Sequence, residues 1–378
     1  MTSETEEKEK RNGGGCMFSR CHSLTGCDLA LTAVITAIVT YYLLTCGCFK
    51  GSVDHRIDPA YDETQLITQK DLGNGWTEFG LVVVTDLDTE SKDASGKKWH
   101  SNGRRGTLKF NEKENKAEIK WETTHFPIAS QLASGGRAME LSDLAVFDGK
   151  LVTVDDRTGI LYHLNKDQVH PWVLLNDGPG NTAKTLKGEW LTVKDQKLYV
   201  GGLGKEWTTT SGEYVNDNPM WVKIVDRRGA VEHVNWKDVF VKVRRAVGIE
   251  YPGYMIHEAV QWSAIHNKWF FLPRRASKEV YTEEDDEVRG TNQMVIASED
   301  FSHFDVVTIG KLEDSRRGFS AFQFVPGTND NVILALRSAE KDGIPVASYA
   351  CVFDISGKIL LEDQPLPEAH KFEGIAFA

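Results

Sequence analysis

The sequence predicts an all-β fold, a five-bladed β-propeller preceded by a single N-terminal transmembrane helix. Three observations carry that prediction. From Trp76 onward short apolar runs alternate with turn residues and no long helical period develops; "WKDVFVKVRRAVGI" (236–249) is the best single helix candidate. Five segments share one grammar: a Ser or Glu head, an apolar strand, a turn and a second strand. The heads stand at 142, 189, 258, 320 and 373, with spacings of 47, 69, 62 and 53 residues, near the size of a four-stranded blade. The fifth segment, "FEGIAFA" (372–378), stops after one strand, so its sheet partners must come from elsewhere. The natural donor is "GLVVVTDLD" (80–88), and a blade shared in this way closes the ring without open sheet edges. A β-sandwich would also give many short strands; the unfinished fifth unit favours the ring.

In chain order, residues 1–28 read as a cytosolic tail, charged and Gly-rich over its first half. Residues 29–49, "LALTAVITAIVTYYLLTCGCF", carry no charge, and as a helix they span about 30 Å, the hydrocarbon core of a bilayer. They are expected to be an uncleaved signal anchor. A cleaved signal peptide is the rival, but the region ahead of such a peptide's apolar run is normally short, and here 28 residues precede it. Lys8, Lys10, Arg11 and Arg20 before the run, against Lys50 and Arg56 after it, favour a cytosolic N-terminus and a type II orientation. Residues 50–75 read as a polar stem and residues 76–378 as the propeller. Five of the six cysteines lie between residues 16 and 48, leaving Cys351 alone, so the propeller has no internal disulfide. Palmitoylation of the N-terminal cysteines and unmodified thiols both stay open. A net charge of −11 argues against nucleic-acid binding, and against phosphate substrates unless a cation mediates.

The repeat makes a chemical prediction. Equivalent strands of a propeller line its central channel, so Ser142, Glu189, Glu258, Ser320 and Glu373 should converge near the axis. Three close carboxylates cannot all stay ionised without a cation, because like charges raise one another's pKa. An oxygen set without His or Cys suits a hard cation, and calcium tolerates irregular geometry better than magnesium. Taken singly, each glutamate is better explained by a salt bridge or by solvent; taken as a ring, they point to metal.

The stretches "MELSDLAVFDGKLVTVDDRTG", "GEWLTVKDQKLYVGGLGKEWTTTSGE", "PGYMIHEAVQWS", "FFLPRRAS", "DLDTES" and "FEGIAF" resemble the signature segments of the calcium-activated nucleotidases, a soluble-apyrase family, in the family order from about Leu81 to Ala378. The anchor and stem resemble the membrane-tethered vertebrate-type members. The resemblance implies a five-bladed propeller with axial Ca2+ on Ser142, Glu189, Glu258, Ser320 and Glu373. It implies hydrolysis of nucleoside di- and triphosphates, with UDP and GDP favoured. It also implies residence in the endoplasmic reticulum or Golgi with a lumenal catalytic domain, and it leaves room for a released soluble form and a homodimer. It places Asp86 and Asp156 at the catalytic centre, although Asp155 and Asp156 in "DDRTG" could equally be turn residues. Asp88, Arg157, Lys205, Trp207 and Arg274 are the candidate substrate contacts. Arginine can grip phosphate oxygens with two donors, and Trp207 could stack on a base or belong to the core.

Other motifs are set aside. "GPGNTAKT" (178–185) nearly matches a phosphate loop but has Ala183 in place of the second Gly, and no helix follows. The acidic run "EEDDE" (283–287) reads as a solvated loop. A calcium-dependent propeller lactonase or phosphotriesterase, or a non-catalytic binding propeller, are the alternative functions.

Overall fold

Each predicted hairpin forms, and each is the inner half of a four-stranded antiparallel blade. The computed structural model describes residues 34–37 and 60–378. Asp148–Gly149 and Asp195–Gln196 both have two successive residues at positive φ, the turn that matches the twist of a tight hairpin. Blade 1 contains Leu141–Phe147, Lys150–Asp155, Ile160–Asn165 and Gln168–Leu174. Blade 2 contains Trp190–Lys194, Lys197–Gly201, Trp221–Val225 and Val231–Asn235, with a small inserted hairpin, Trp207–Thr208 and Tyr214–Asn216. Blade 3 contains Tyr254–Ser263, Lys268–Ser277, Gln293–Ser298 and Phe304–Thr308. Blade 4 contains Gly318–Phe324, Val332–Lys341, Ile344–Asp354 and Ile359–Pro365.

Blade 5 is the shared one. Its inner strand is Lys371–Phe377, and its outer three are Trp76–Asp86, Trp99–Asn111 and Lys116–Ser130. The register runs from Leu81 opposite Phe377 to Asp86 opposite Lys371. A further strand, Gln69–Gly73, pairs with the start of Trp76–Asp86. Tyr61, Leu66 and Ile67 pack on the blades, so the compact unit runs Tyr61–Ala378, and the described end of the expected stem lies against the propeller. The helix candidate forms as Lys237–Ala246.

The core is not central. Five apolar clusters fill the five gaps between neighbouring blades. Trp190, Trp236, Phe240, Val260 and Trp269, for example, lie between blades 2 and 3, and Leu81, Val83, Leu334 and Val352 lie between blades 5 and 4. The axis is therefore left to polar side chains. Among the described residues no helix is long and apolar enough to cross a membrane. The expected anchor, residues 29–49, lies outside the described residues except for 34–37, which are helical.

Ring closure through one C-terminal strand is testable. Deleting residues 371–378 removes the only inner strand of blade 5 and exposes the apolar faces of two gaps. The cooperative thermal transition followed by near-UV circular dichroism is expected to disappear. A cooperative transition in the truncated protein would show that the other four blades hold the ring without it.

Candidate functional site

Four of the five heads lie at local irregularities in the inner strands. At Ser142–Leu144, His257–Val260, Phe319–Ala321 and Phe372–Gly374 the pairing slips by one residue. A bulge of this kind bends a strand and re-aims a side chain out of the regular alternation. Glu189 stands just before Trp190–Lys194, its N–H donating to the Gly201 carbonyl at 2.7 Å. All five heads are buried.

Three of them meet directly. The Ser142 hydroxyl lies 3.5 Å from Glu189 Oε2 and 3.4 Å from Glu373 Oε2. Glu258 and Glu373 are joined by Arg274, whose Nη1 donates to Glu258 Oε2 and to Glu373 Oε1, the latter at 2.7 Å. Ser320 lies on the neighbouring inner strand, and its hydroxyl donates to the Phe372 carbonyl at 2.9 Å, one residue before Glu373. Burial pushes the Glu189 carboxyl up to about 8; Lys187 pulls the other way, and Glu258 and Asp156 add to the rise. Burial likewise raises Glu373, against Lys371 and Arg274 but with the help of Glu258. The donor set of Ser142, Glu189, Glu258, Ser320 and Glu373 is all oxygen and buried, the chemistry that a hard divalent cation takes.

Beside the ring, cations and carboxylates alternate. Lys371 Nζ lies 2.5 Å from Asp86 and 3.0 Å from Asp88. Lys187 bridges Asp156 and Glu189, the latter at 2.7 Å. Asp86 stays below the ordinary carboxylate range: burial would raise it, but Lys371 outweighs burial through charge and a hydrogen bond. Asp86, Glu140 and Asp156 each place an oxygen within 4.8 Å of the others. Burial and the Asp156 and Asp86 charges push Glu140 up to about 8, against its ion pair with Arg137.

Asp86, Lys187 and Lys371 border a cavity of about 390 Å³ that is also lined by Arg274, Arg275, Glu340, Lys205 and Trp207; Asp156 and Glu140 lie outside its lining. Lys205 Nζ lies 4.1 Å from the Tyr281 ring centroid, and burial lowers its pKa to about 8. Lys184 Nζ covers one face of Trp207 at 3.7 Å, so the segment that failed as a phosphate loop still delivers a cation to the cavity wall. Arg157 does not border the cavity; its guanidinium lies 3.2 Å from Glu140. Asp88 is likewise set back, between Lys371 and Arg137.

The structure separates two residues that the sequence left equivalent. Asp155 accepts backbone N–H bonds from Met139, Arg157 and Thr158, so it holds the turn. Asp156 faces Lys187, and its other oxygen is buried without a hydrogen-bond partner. It corrects another expectation. "EEDDE" is a short helix, Glu283–Asp286, rather than a loop: Glu283, Glu284 and Asp285 are exposed as expected, but Asp286 and Glu287 are half-buried, Glu283, Asp286 and Glu287 line the cavity, and Asp286 accepts a 2.6 Å hydrogen bond from Tyr254.

Lys187, Lys371 and Glu140 were missed from the sequence, yet a signal existed. Each lies two residues before a head, and strand alternation puts residues i and i−2 on one side. The corresponding position in blade 4 is Gly318, where a Cβ would collide with the Arg274 carbonyl and crowd the Arg275 guanidinium. The small residue admits both arginines. Glu340, 2.5 Å from Arg274, carried no such signal.

Fold and site together define a propeller whose axis gathers buried carboxylates and hydroxyls next to a cluster of basic side chains. The apyrase family model matches residues 87–378. Apyrase apy-1 of Caenorhabditis elegans is 57% identical over 318 residues, 84% of this chain and 89% of that protein. Soluble calcium-activated nucleotidase 1 of Mus musculus is 44% identical over 317 residues, 84% of this chain and 78% of that protein. An apyrase of Cimex lectularius is 42% identical over 302 residues, 79% of this chain and 82% of that protein. The chain belongs to the apyrase family.

Two outcomes follow from the geometry. Gly318→Ala should displace Arg274 and lower activity by about 100-fold, as small misplacements of positioning groups do, while the folded spectrum is kept; near-normal activity would show that the arginines tolerate the shift. A carboxyl raised from 4.5 to about 8 binds its proton more tightly when folded, so it costs the metal-free protein stability as pH rises through that window. The thermal midpoint in chelator should therefore fall between pH 5 and pH 8, and calcium should raise it more at pH 8 than at pH 6. A calcium-induced shift independent of pH would contradict this.

Proposed function

We propose that the chain is a calcium-dependent nucleotidase that hydrolyses nucleoside diphosphates, and triphosphates in turn, to the monophosphate and inorganic phosphate. The observation that carries the reading is the meeting in one cavity of the axial oxygen set with Arg274, Lys371 and Lys187. When bound at Ser142, Glu189, Glu258, Ser320 and Glu373, calcium supplies positive charge for phosphate oxygens and an ordered hydration sphere. Arg274 and Lys371 then have carboxylate partners they can share with phosphate oxygens, Arg274 with two donors in one plane. Asp86 is kept ionised by Lys371 and can accept a proton from the attacking water, with Asp156 as the second carboxylate of the centre. The water oxygen bonds to the terminal phosphorus, the bridging P–O bond breaks, and its electron pair leaves with the nucleotide. Lys205 and Trp207 form the wall against which the rest of the nucleotide lies. Asp88 and Arg157 act from behind, Asp88 through Lys371 and Arg157 through Glu140.

The resemblance in the signature stretches supports UDP and GDP as preferred substrates. The uncharged run 29–49 supports a type II anchor, with residues 1–28 in the cytosol and the propeller in the lumen of the endoplasmic reticulum or Golgi, joined by a stem within residues 50–75. A released soluble form and a homodimer belong to the same proposal.

Phosphate release from a nucleotide panel tests the activity. UDP hydrolysis is expected in calcium and not in excess chelator; equal rates in both would overturn the reading. Asp86→Asn and Asp156→Asn should each lower kcat by roughly 100-fold or more, with calcium still raising the thermal midpoint. Full activity in either would remove that residue from the centre.

A further inference from the structure

The longest helix among the described residues, Lys237–Ala246, belongs to no blade, and nucleotide hydrolysis by itself gives it no task. It buries Phe240, Val243 and Arg244. Arg244 grips Glu206 with both ends of its guanidinium, Nη1 to Oε2 at 2.8 Å and Nη2 to Oε1 at 3.0 Å. Both side chains are buried, at 5% and 9% exposure. Glu206 lies between Lys205 and Trp207, two residues that line the cavity. Glu206 and Arg244 line a separate surface cavity with Asp238 and Arg245, whereas Lys205 and Trp207 line the axial one, so the anchor on Glu206 holds the backbone with its two neighbours turned the other way.

This segment needs an anchor. After Lys197–Gly201 the chain leaves the blade, and its next regular element is the two-residue strand Trp207–Thr208. Between them the backbone is held by Gly204 N–H donating to the Pro219 carbonyl at 3.2 Å and by His257 N–H donating to the Leu203 carbonyl at 3.0 Å. Gly204 has φ +68°, and a Cβ there would meet Phe240 at 2.6 Å and His257 at 2.8 Å. The chain is thus threaded between the helix and the inner strand that carries Glu258. Lys205 Nζ donates to the Glu206 carbonyl at 3.0 Å and to Thr208 Oγ1 at 3.1 Å, so its position follows the backbone that Glu206 fixes.

We propose that Arg244 is a positioning residue for substrate: its fork on Glu206 sets segment 205–207 so that Lys205 and Trp207 face the cavity together, and the helix is the buttress that carries the fork. This rests on the nucleotidase reading for what the cavity holds. Arg244 stays clear of the reacting atoms, so its loss weakens nucleotide binding and leaves the chemical step in place. A purely structural ion pair would lower the thermal midpoint without separating KM from kcat.

The test uses the full chain and UDP at saturating calcium. Arg244→Met keeps much of the apolar length and removes the fork. Its KM should rise about tenfold, equal to about 1.4 kcal/mol, with kcat kept within about twofold and the calcium activation midpoint unchanged. Glu206→Gln added to Arg244→Met should raise KM no further, because both act through one contact. Arg244→Lys, which keeps charge but not the two-donor geometry, gives the same readout if the methionine variant does not fold. Asp238→Asn, exposed on the same helix, should behave as the parent. An unchanged KM in Arg244→Met and Arg244→Lys, a fall confined to kcat, or additive effects in the double variant would overturn the proposal. Absence of calcium-dependent phosphate release in the parent protein would instead overturn the nucleotidase reading.

Discussion

The burial of three glutamates, Glu189, Glu258 and Glu373, at the propeller axis is the constraint on which the rest of the structure depends. Removing an ionised carboxylate from water costs several kcal/mol unless a partner repays it. The partners are visible. Lys187 meets Glu189, and Arg274 meets both Glu258 and Glu373. Each cation also reaches a carboxylate outside the ring, Asp156 for Lys187 and Glu340 for Arg274. The centre is thus an alternating lattice of charge in which a divalent cation and a phosphate can enter as a matched pair.

The backbone makes this lattice reachable. A regular strand would send alternate side chains along the channel, but four inner strands slip register by one residue at the head. Where blade 4 would otherwise intrude, Gly318 leaves room for Arg274 and Arg275. The apolar clusters between blades supply the rigidity, and the shared fifth blade keeps the ring from opening at an edge. Function is concentrated where packing is least hydrophobic.

Much of the fold was legible because strand periodicity and turn residues are local. The tight turns at Asp148–Gly149 and Asp195–Gln196, a helix within 236–249 and the donation of a strand at 80–88 to the last blade were all readable in the chain; the structure sets the helix at Lys237–Ala246 and the strand at Trp76–Asp86. The heads were readable because they repeat. Glu140, Lys187 and Lys371 were also written in the pattern, two residues before three heads, but a charged residue beside a strand has too many ordinary explanations to stand out. The acidic run 283–287 was read as uniformly solvated for the same reason: Asp286 is half-buried beside Tyr254 and Arg275, which lie far from it in the chain. Glu206 and Arg244 are 38 residues apart, and nothing local joins them.

The sequence by itself determined the inner hairpins, the five repeated heads and the oxygen character of the axial site, since these follow from residue type and spacing along the chain. It also carries the family likeness in long ordered segments. Only the tertiary structure decided which of Asp155 and Asp156 meets Lys187, which cations meet which carboxylates, and that a helix outside the blades pairs with Glu206. The physical reason is that charge pairing depends on distance through space, and ring closure brings together residues that lie far apart in the chain.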